Sequence, residues 1–123
     1  MGVKVYSVGA SHGDEEIVFH LRSISTAEET RYTNRYAEIN DLDSDEKKAE
    51  QEYGILTDVI ASWSERDPTL KQAGKGVAPD TPYETPHAAV MAYFAERTNE
   101  KERTAQQVVL QYRRKLQPKV VFY

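Results

Sequence analysis

The clearest hydrophobic pattern in this chain lies between residues 44 and 63. Its apolar residues recur at spacings of four, three, four and three, namely Ala49, Tyr53, Leu56, Ile60 and Trp63. That spacing places one apolar stripe along one face of an α-helix, and the polar residues between the stripe positions can face water. Asp67-Pro68 lies just beyond the stripe and disfavours a continued helix. The pattern therefore predicts an amphipathic helix that the rest of the fold covers.

Two β-strand patterns precede this helix. Residues 3–8 are rich in Val and Tyr, and residues 17–24 alternate, with Ile17, Phe19 and Leu21 on one face. Residues 9–16 between them are polar and bracketed by glycine, so we expect a loop longer than a tight turn. Together the two strands predict an antiparallel hairpin, which is marginal alone and needs helices against its apolar face.

Capping signals mark the other helices. Ser25 and Glu28 have the spacing of a capping box, and Thr85-Pro86 places a capping threonine before a proline at the first helical position. Asn99 gives another capping signal, so we expect a break there, with one continuous helix as the alternative. Pro118 ends the last helix.

These elements predict a single α+β domain, mostly helical, with three to four helices and a small N-terminal antiparallel β-hairpin. The expected segments are a hairpin at 1–24, a helical pair at 25–66, a loop at 67–84, a second helical pair at 85–117 and a terminal strand or tail at 118–123. A connection as long as 67–84 is often functional, so we expect partner-dependent ordering there.

The apolar C-terminus is the most adhesive stretch of the chain. Its four large apolar residues are Val120, Val121, Phe122 and Tyr123. Such a run either joins the chain's own sheet or pairs with another chain. The eight tyrosines of the sequence add amphipathic area suited to a core edge or an interface. We therefore assign residues 120–123, with Tyr32 and Tyr36, as candidate protein-binding residues.

Charge and composition narrow the class of protein. The net charge of -4 argues against a nucleic-acid binder, whose affinity comes from neutralising phosphates. The chain has no Cys, which excludes disulfides and thiolate metal sites. No apolar run approaches the roughly 20 residues of a membrane span, so we expect no membrane partner and a cytoplasmic location.

No residue pattern predicts a catalytic, cofactor or metal site. His12, His20 and His87 are not spaced one helical turn apart, so a zinc site is not expected. The acidic residues at 41–46 lack the glycine that a calcium-binding loop requires. Neither Gly9 and Gly13 nor Gly74 and Gly76 precede the Gly-Lys-Ser/Thr sequence that ends a phosphate-binding loop. The basic run at 113–115 suits the C-terminal end of a helix. We expect a protein without enzymatic activity.

Five features occur in the same order as in a known family. They are a β-segment entering a helix at 21–29, a helix end with Trp and Pro at 60–68, a linker with Pro and Gly, a helix start at 85–90 and the Ala-Gln-Gln-Val-Val of a final helix at 105–109. In this order the chain, from about residue 16 to 116, resembles the tail assembly chaperones of long-tailed, non-contractile (lambda-like) bacteriophages.

The resemblance implies a non-enzymatic role in the cytoplasm of the infected bacterial host. Such chaperones coat the tape measure protein before the tail tube assembles around it, and a longer frameshifted form recruits tail tube protein. The chain departs from the long form because it ends at Tyr123 with no extended polar tail. We expect self-association and tail proteins as partners. The alternative is a phage head–tail connector or tail-completion protein, which would remain in the virion.

Overall fold

An antiparallel hairpin is followed by a set of helices in the computed structural model, which describes residues 4–12, 15–66, 70–72, 74–78 and 81–116 (His12 and Glu15 by their backbone). The elements are β1 (Val5–His12), β2 (Glu15–Arg22), α1 (Thr26–Ala37), a 3₁₀ turn (Glu38–Asp41), α2 (Asp45–Trp63), α3 (Pro86–Tyr93) and α4 (Asn99–Leu116). The predicted α+β class, mostly helical with an N-terminal antiparallel hairpin, is confirmed. The predicted C-terminal strand lies outside the described residues.

The hairpin is longer than the sequence pattern suggested. Its strands pair from Val5 opposite Arg22 to His12 opposite Glu15, so the predicted loop at 9–16 was wrong. The strand continues because Ala10 is buried opposite Ile17 and extends the apolar face of Val8 and Phe19. Gly9 lies on the exposed face, where a missing side chain removes no packing.

The α2 helix is the centre of the core, and it is buried more completely than one stripe predicts. Its C-terminal half buries Ile55, Leu56, Thr57, Val59, Ile60, Ala61 and Trp63. The helix ends at Trp63, the last residue of the predicted stripe, and Asp67-Pro68 lies outside the described residues. After the helix the chain meets the sheet: Ser64 bridges Leu21, and the Glu65 amide donates to the His20 carbonyl at 2.7 Å.

The capping predictions are confirmed except for one position. Ser25 and Glu28 form the reciprocal capping box, and the Thr85 hydroxyl accepts from the Ala88 amide at 3.0 Å. A break separates α3 from α4, as expected. The cap of α4 is Thr98 and not Asn99, because the Thr98 hydroxyl accepts from the Lys101 amide at 3.1 Å.

An aromatic cluster joins the layers of the fold. The Trp63 ring lies 5.7 Å from the ring of Tyr32 on α1 and 5.4 Å from that of Tyr112 on α4. Tyr112 in turn packs edge-on against Tyr6 of β1 at 5.7 Å. The cluster therefore ties α1, α2 and α4 to the sheet and fixes how these helices lie against one another.

The described part of the 67–84 connection is a small closed loop. Lys71 bridges Pro82, and the Gln72 amide donates to the Thr81 carbonyl at 3.0 Å. Leu70 anchors the loop in the core. Gly76 has a φ of 84°, a conformation that favours glycine. Partner-dependent ordering of this segment stays a prediction.

Candidate protein-binding groove

A groove of about 510 Å³ lies between α1, α2 and α4, and we call it the helical groove. Leu56 and Val109 form its buried floor. Tyr36 and Leu110 form its rim, with 38% and 51% of their surfaces exposed. The lining is completed by Tyr32, Thr33, Ala37, Glu52, Gln106 and Arg113. Large apolar side chains that remain exposed beside a concave surface are typical of binding sites.

Arg113 connects α4 to α1 at the helical groove. Its Nε donates to Glu29 Oε1 at 2.9 Å, and its guanidinium carbon lies 5.4 Å from the centre of the Tyr32 ring. Both partners belong to α1, and both ion-pair side chains are less than half exposed. The contact links α4 to α1 beside the groove that Tyr36 and Leu110 line.

Polar contacts also connect α2 to its neighbours around the groove. Gln106 Nε2 donates to Glu52 Oε1 at 2.8 Å and joins α4 to α2. Arg35 pairs with Asp58 at 2.6 Å and joins α1 to α2.

The tyrosines of the helical groove are neutral hydrogen-bond donors at neutral pH. Burial raises the pKa of Tyr32 above its ordinary value. Burial also raises the pKa of Tyr36, and the negative charge of Glu52 raises it further. The groove therefore presents apolar area with the Tyr36 hydroxyl at its edge, a surface that suits a polypeptide better than a charged small molecule.

The structure separates the predicted protein-binding residues. Tyr36 lies on the groove rim, whereas Tyr32 is only 6% exposed and packs mainly in the core. Val120, Val121, Phe122 and Tyr123 lie outside the described residues. Their role in binding stays a prediction. Leu110 was missed by the sequence analysis, although a signal existed. Leu110 is a large apolar residue of α4, but it does not lie on the helix face that buries Val108, Val109 and Tyr112.

The residues considered for chemistry are scattered. His20 Nδ1 lies 3.1 Å from the Ser7 hydroxyl on the sheet, and His87 is exposed in the first turn of α3. The His12 side chain lies outside the described part of the chain. Within the described ranges, His, Asp and Glu form no group of three that could hold a metal ion. No described helix combines the length and apolar character needed to cross a membrane.

Arg22, the last residue of β2, is a structural junction. Its guanidinium binds both Glu28 carboxylate oxygens, at 2.9 and 3.2 Å, and the Ser62 carbonyl of α2 at 3.2 Å. Its backbone carbonyl accepts the Tyr112 hydroxyl. Burial raises the pKa of Tyr112 to about 12, so this donor keeps its proton. One residue therefore links β2 to three helices.

The Arg22–Glu28 pair predicts a pH-dependent contribution to stability. Its hydrogen bond lowers the pKa of Glu28 below the value of an unfolded glutamate. The stabilisation is therefore present above the unfolded pKa of about 4.3 and is lost as the pH falls through the folded pKa. We expect Glu28→Gln to cost about 1 kcal/mol at neutral pH, with the difference from wild type shrinking in acid.

Urea unfolding at neutral and at acidic pH measures this effect. The control is Glu50→Gln, an exposed acid on α2, which should change the free energy of unfolding by less than about 0.5 kcal/mol throughout. A cost for Glu28→Gln that does not depend on pH would contradict the prediction.

No protein-family model, curated protein or solved structure matches this chain. A function for it is therefore inferred from the helical groove and from the order of sequence features.

Proposed function

We propose that this protein is a non-enzymatic chaperone that binds a partner polypeptide in the helical groove. The observation that carries the proposal is the exposure of Tyr36 and Leu110 on the rim, above the buried Leu56 and Val109. A groove between helices accepts an amphipathic helix by its apolar face, with anchors one turn apart. The neutral Tyr36 hydroxyl at the edge can bond to polar groups beside that face.

The partner we propose is the tape measure protein of a bacteriophage with a long, non-contractile tail. The support is the sequence resemblance to tail assembly chaperones together with a groove shaped for an apolar helical client. In this role the protein acts in the cytoplasm of the infected host, associates with itself and hands the coated tape measure to the tail tube protein. It then leaves the particle.

Co-expression tests this function. The chain is produced with an affinity tag alongside the tape measure protein encoded in the same genome. We expect the tape measure protein to become more soluble and to co-purify, and light scattering to show assemblies larger than one copy. A strict monomer that retains no tail protein would contradict the proposal.

Mass spectrometry of purified virions provides the second half of the test. A chaperone is absent from the finished particle, whereas a head–tail connector or tail-completion protein remains in it. Finding the chain in stoichiometric amount in virions would replace the chaperone by that alternative.

A further inference from the structure

The two edges of the hairpin differ in how they are covered. On β2, the His20 carbonyl accepts the Glu65 amide, Leu21 bridges Ser64, and the Arg22 carbonyl accepts the Tyr112 hydroxyl. The chain that leaves α2 thus lies along this edge. The opposite edge, formed by β1, has no comparable cover among the described residues.

The register shows which backbone groups of β1 point outward. The Ser23 amide donates to the Lys4 carbonyl at 2.7 Å, so the even-numbered residues of β1 face β2. The 3.1 Å contact between the Ser7 and His20 side chains agrees with this register. Opposite residues that share no backbone hydrogen bonds lie closer to each other than those that do. The amides and carbonyls that point away from β2 belong to Val5, Ser7, Gly9 and Ser11.

This outer edge of β1 is open. Within the described part of the chain, its backbone groups have one partner, the Lys115 ammonium group on the Ser7 carbonyl. All four outward residues are exposed. Residues 5–11 contain no charge and no proline, the usual devices that protect an edge from pairing. An edge of this kind is a template for another strand.

We propose that the chain's own segment 119–123, Lys-Val-Val-Phe-Tyr, adds to the outer edge of β1 as a third strand. The contact between Lys115 and Ser7 places the last turn of α4 beside this edge, and α4 ends at Leu116. Three residue steps from Leu116 to Lys119 span at most about 11 Å. A third strand would lie about 4.8 Å outside β1, on the edge where the Lys115 ammonium group already meets the Ser7 carbonyl, so the segment begins beside its place.

The chemistry of the segment fits this occupant. Valine, phenylalanine and tyrosine are the residues enriched in strands, and the segment contains no proline. Pro118 lacks an amide hydrogen and separates the segment from α4. A tether of two residues gives an effective concentration of about millimolar or more, so pairing within the chain prevails over pairing with a second copy at micromolar protein. This inference is independent of what the helical groove binds.

Amide hydrogen exchange measured by NMR on the full chain tests the proposal. The amide of Gly9 and that of one outward neighbour, Ser7 or Ser11, should exchange about tenfold or more slowly than in a chain ending at Pro118. The amides of Val8 and Ala10 face β2 and should stay protected in both chains, which shows that the hairpin is intact. A Gly9 amide that exchanges freely in the full chain overturns the proposal.

Two further variants keep the test decisive if the shortened chain does not fold. Val121→Pro should expose the Gly9 amide in an otherwise full-length chain, and Gln117→Ala, outside the segment, should leave it protected. Equal protection in both variants overturns the proposal. Protection that appears only as protein concentration rises, together with dimers in sedimentation, also overturns it, since the occupant is then a second copy.

Discussion

Replacing Trp63 by alanine is expected to lower the free energy of unfolding by about 3–5 kcal/mol, the usual cost of truncating a buried aromatic side chain. Trp63 is 2% exposed, and its ring contacts Tyr32 of α1 and Tyr112 of α4. The truncation leaves a cavity where three helices meet. Domains are stable by only about 5–15 kcal/mol, so this change removes a large share of the total.

Urea unfolding measures this effect. The signal is far-UV circular dichroism and not tryptophan fluorescence, because the variant loses the only tryptophan of the chain. Ser62→Ala, one position earlier on the same helix and exposed, is the matched control and should change stability by less than about 0.5 kcal/mol. A loss below about 1 kcal/mol for Trp63→Ala would mean that Trp63 does not hold the helices together as described.

Leu110→Asp is expected to weaken binding of the tape measure protein about 100-fold, while the fold is retained. A partner that fills the groove covers Leu110, replacing a well-packed apolar contact of this kind costs about 2–4 kcal/mol, and a buried carboxylate in its place adds a desolvation penalty. Leu110 is 51% exposed in the free protein, so the folded state loses little packing. We expect its free energy of unfolding to change by less than about 0.5 kcal/mol.

Met91→Asp is the matched control for this variant. Met91 is also a large apolar helical residue, 40% exposed, but it lies on α3 and outside the lining of the helical groove. Titration of each variant against the tape measure protein, with unfolding curves in parallel, separates binding from stability. Equal losses of affinity in the two variants would show that general surface hydrophobicity, and not the groove, holds the partner.

Local patterns in the sequence predicted much of the fold. The stripe of α2 and the caps at Ser25 and Thr85 depend on helical periodicity and on side chains three residues apart, which a single sequence displays directly. The stripe also ends where α2 ends, at Trp63, but the sequence did not show that the chain then lies along the edge of β2, where Ser64 bridges Leu21. Contacts between residues far apart in the chain are not visible in a local sequence pattern.

The same distinction applies to the helical groove. Tyr36 was a candidate because it follows Tyr32 at helical spacing. Leu110 joins it in the groove because α4 lies beside α1, where Arg113 pairs with Glu29, 84 positions away. The sequence marks Leu110 as apolar but does not show which surface it faces. For the same reason the role of Arg22 was missed, since its partners lie on three other elements.

Site-specific photo-cross-linking tests the central claim, that the groove between α1, α2 and α4 binds a partner polypeptide. A photoreactive benzoylphenylalanine is placed at the position of Leu110 and, in a second protein, at that of Met91, and each is co-expressed with the tape measure protein and illuminated. We expect the tape measure protein to be cross-linked from position 110 and little or none from position 91. Cross-linking from position 91 alone, or equally from both, would contradict binding in the groove.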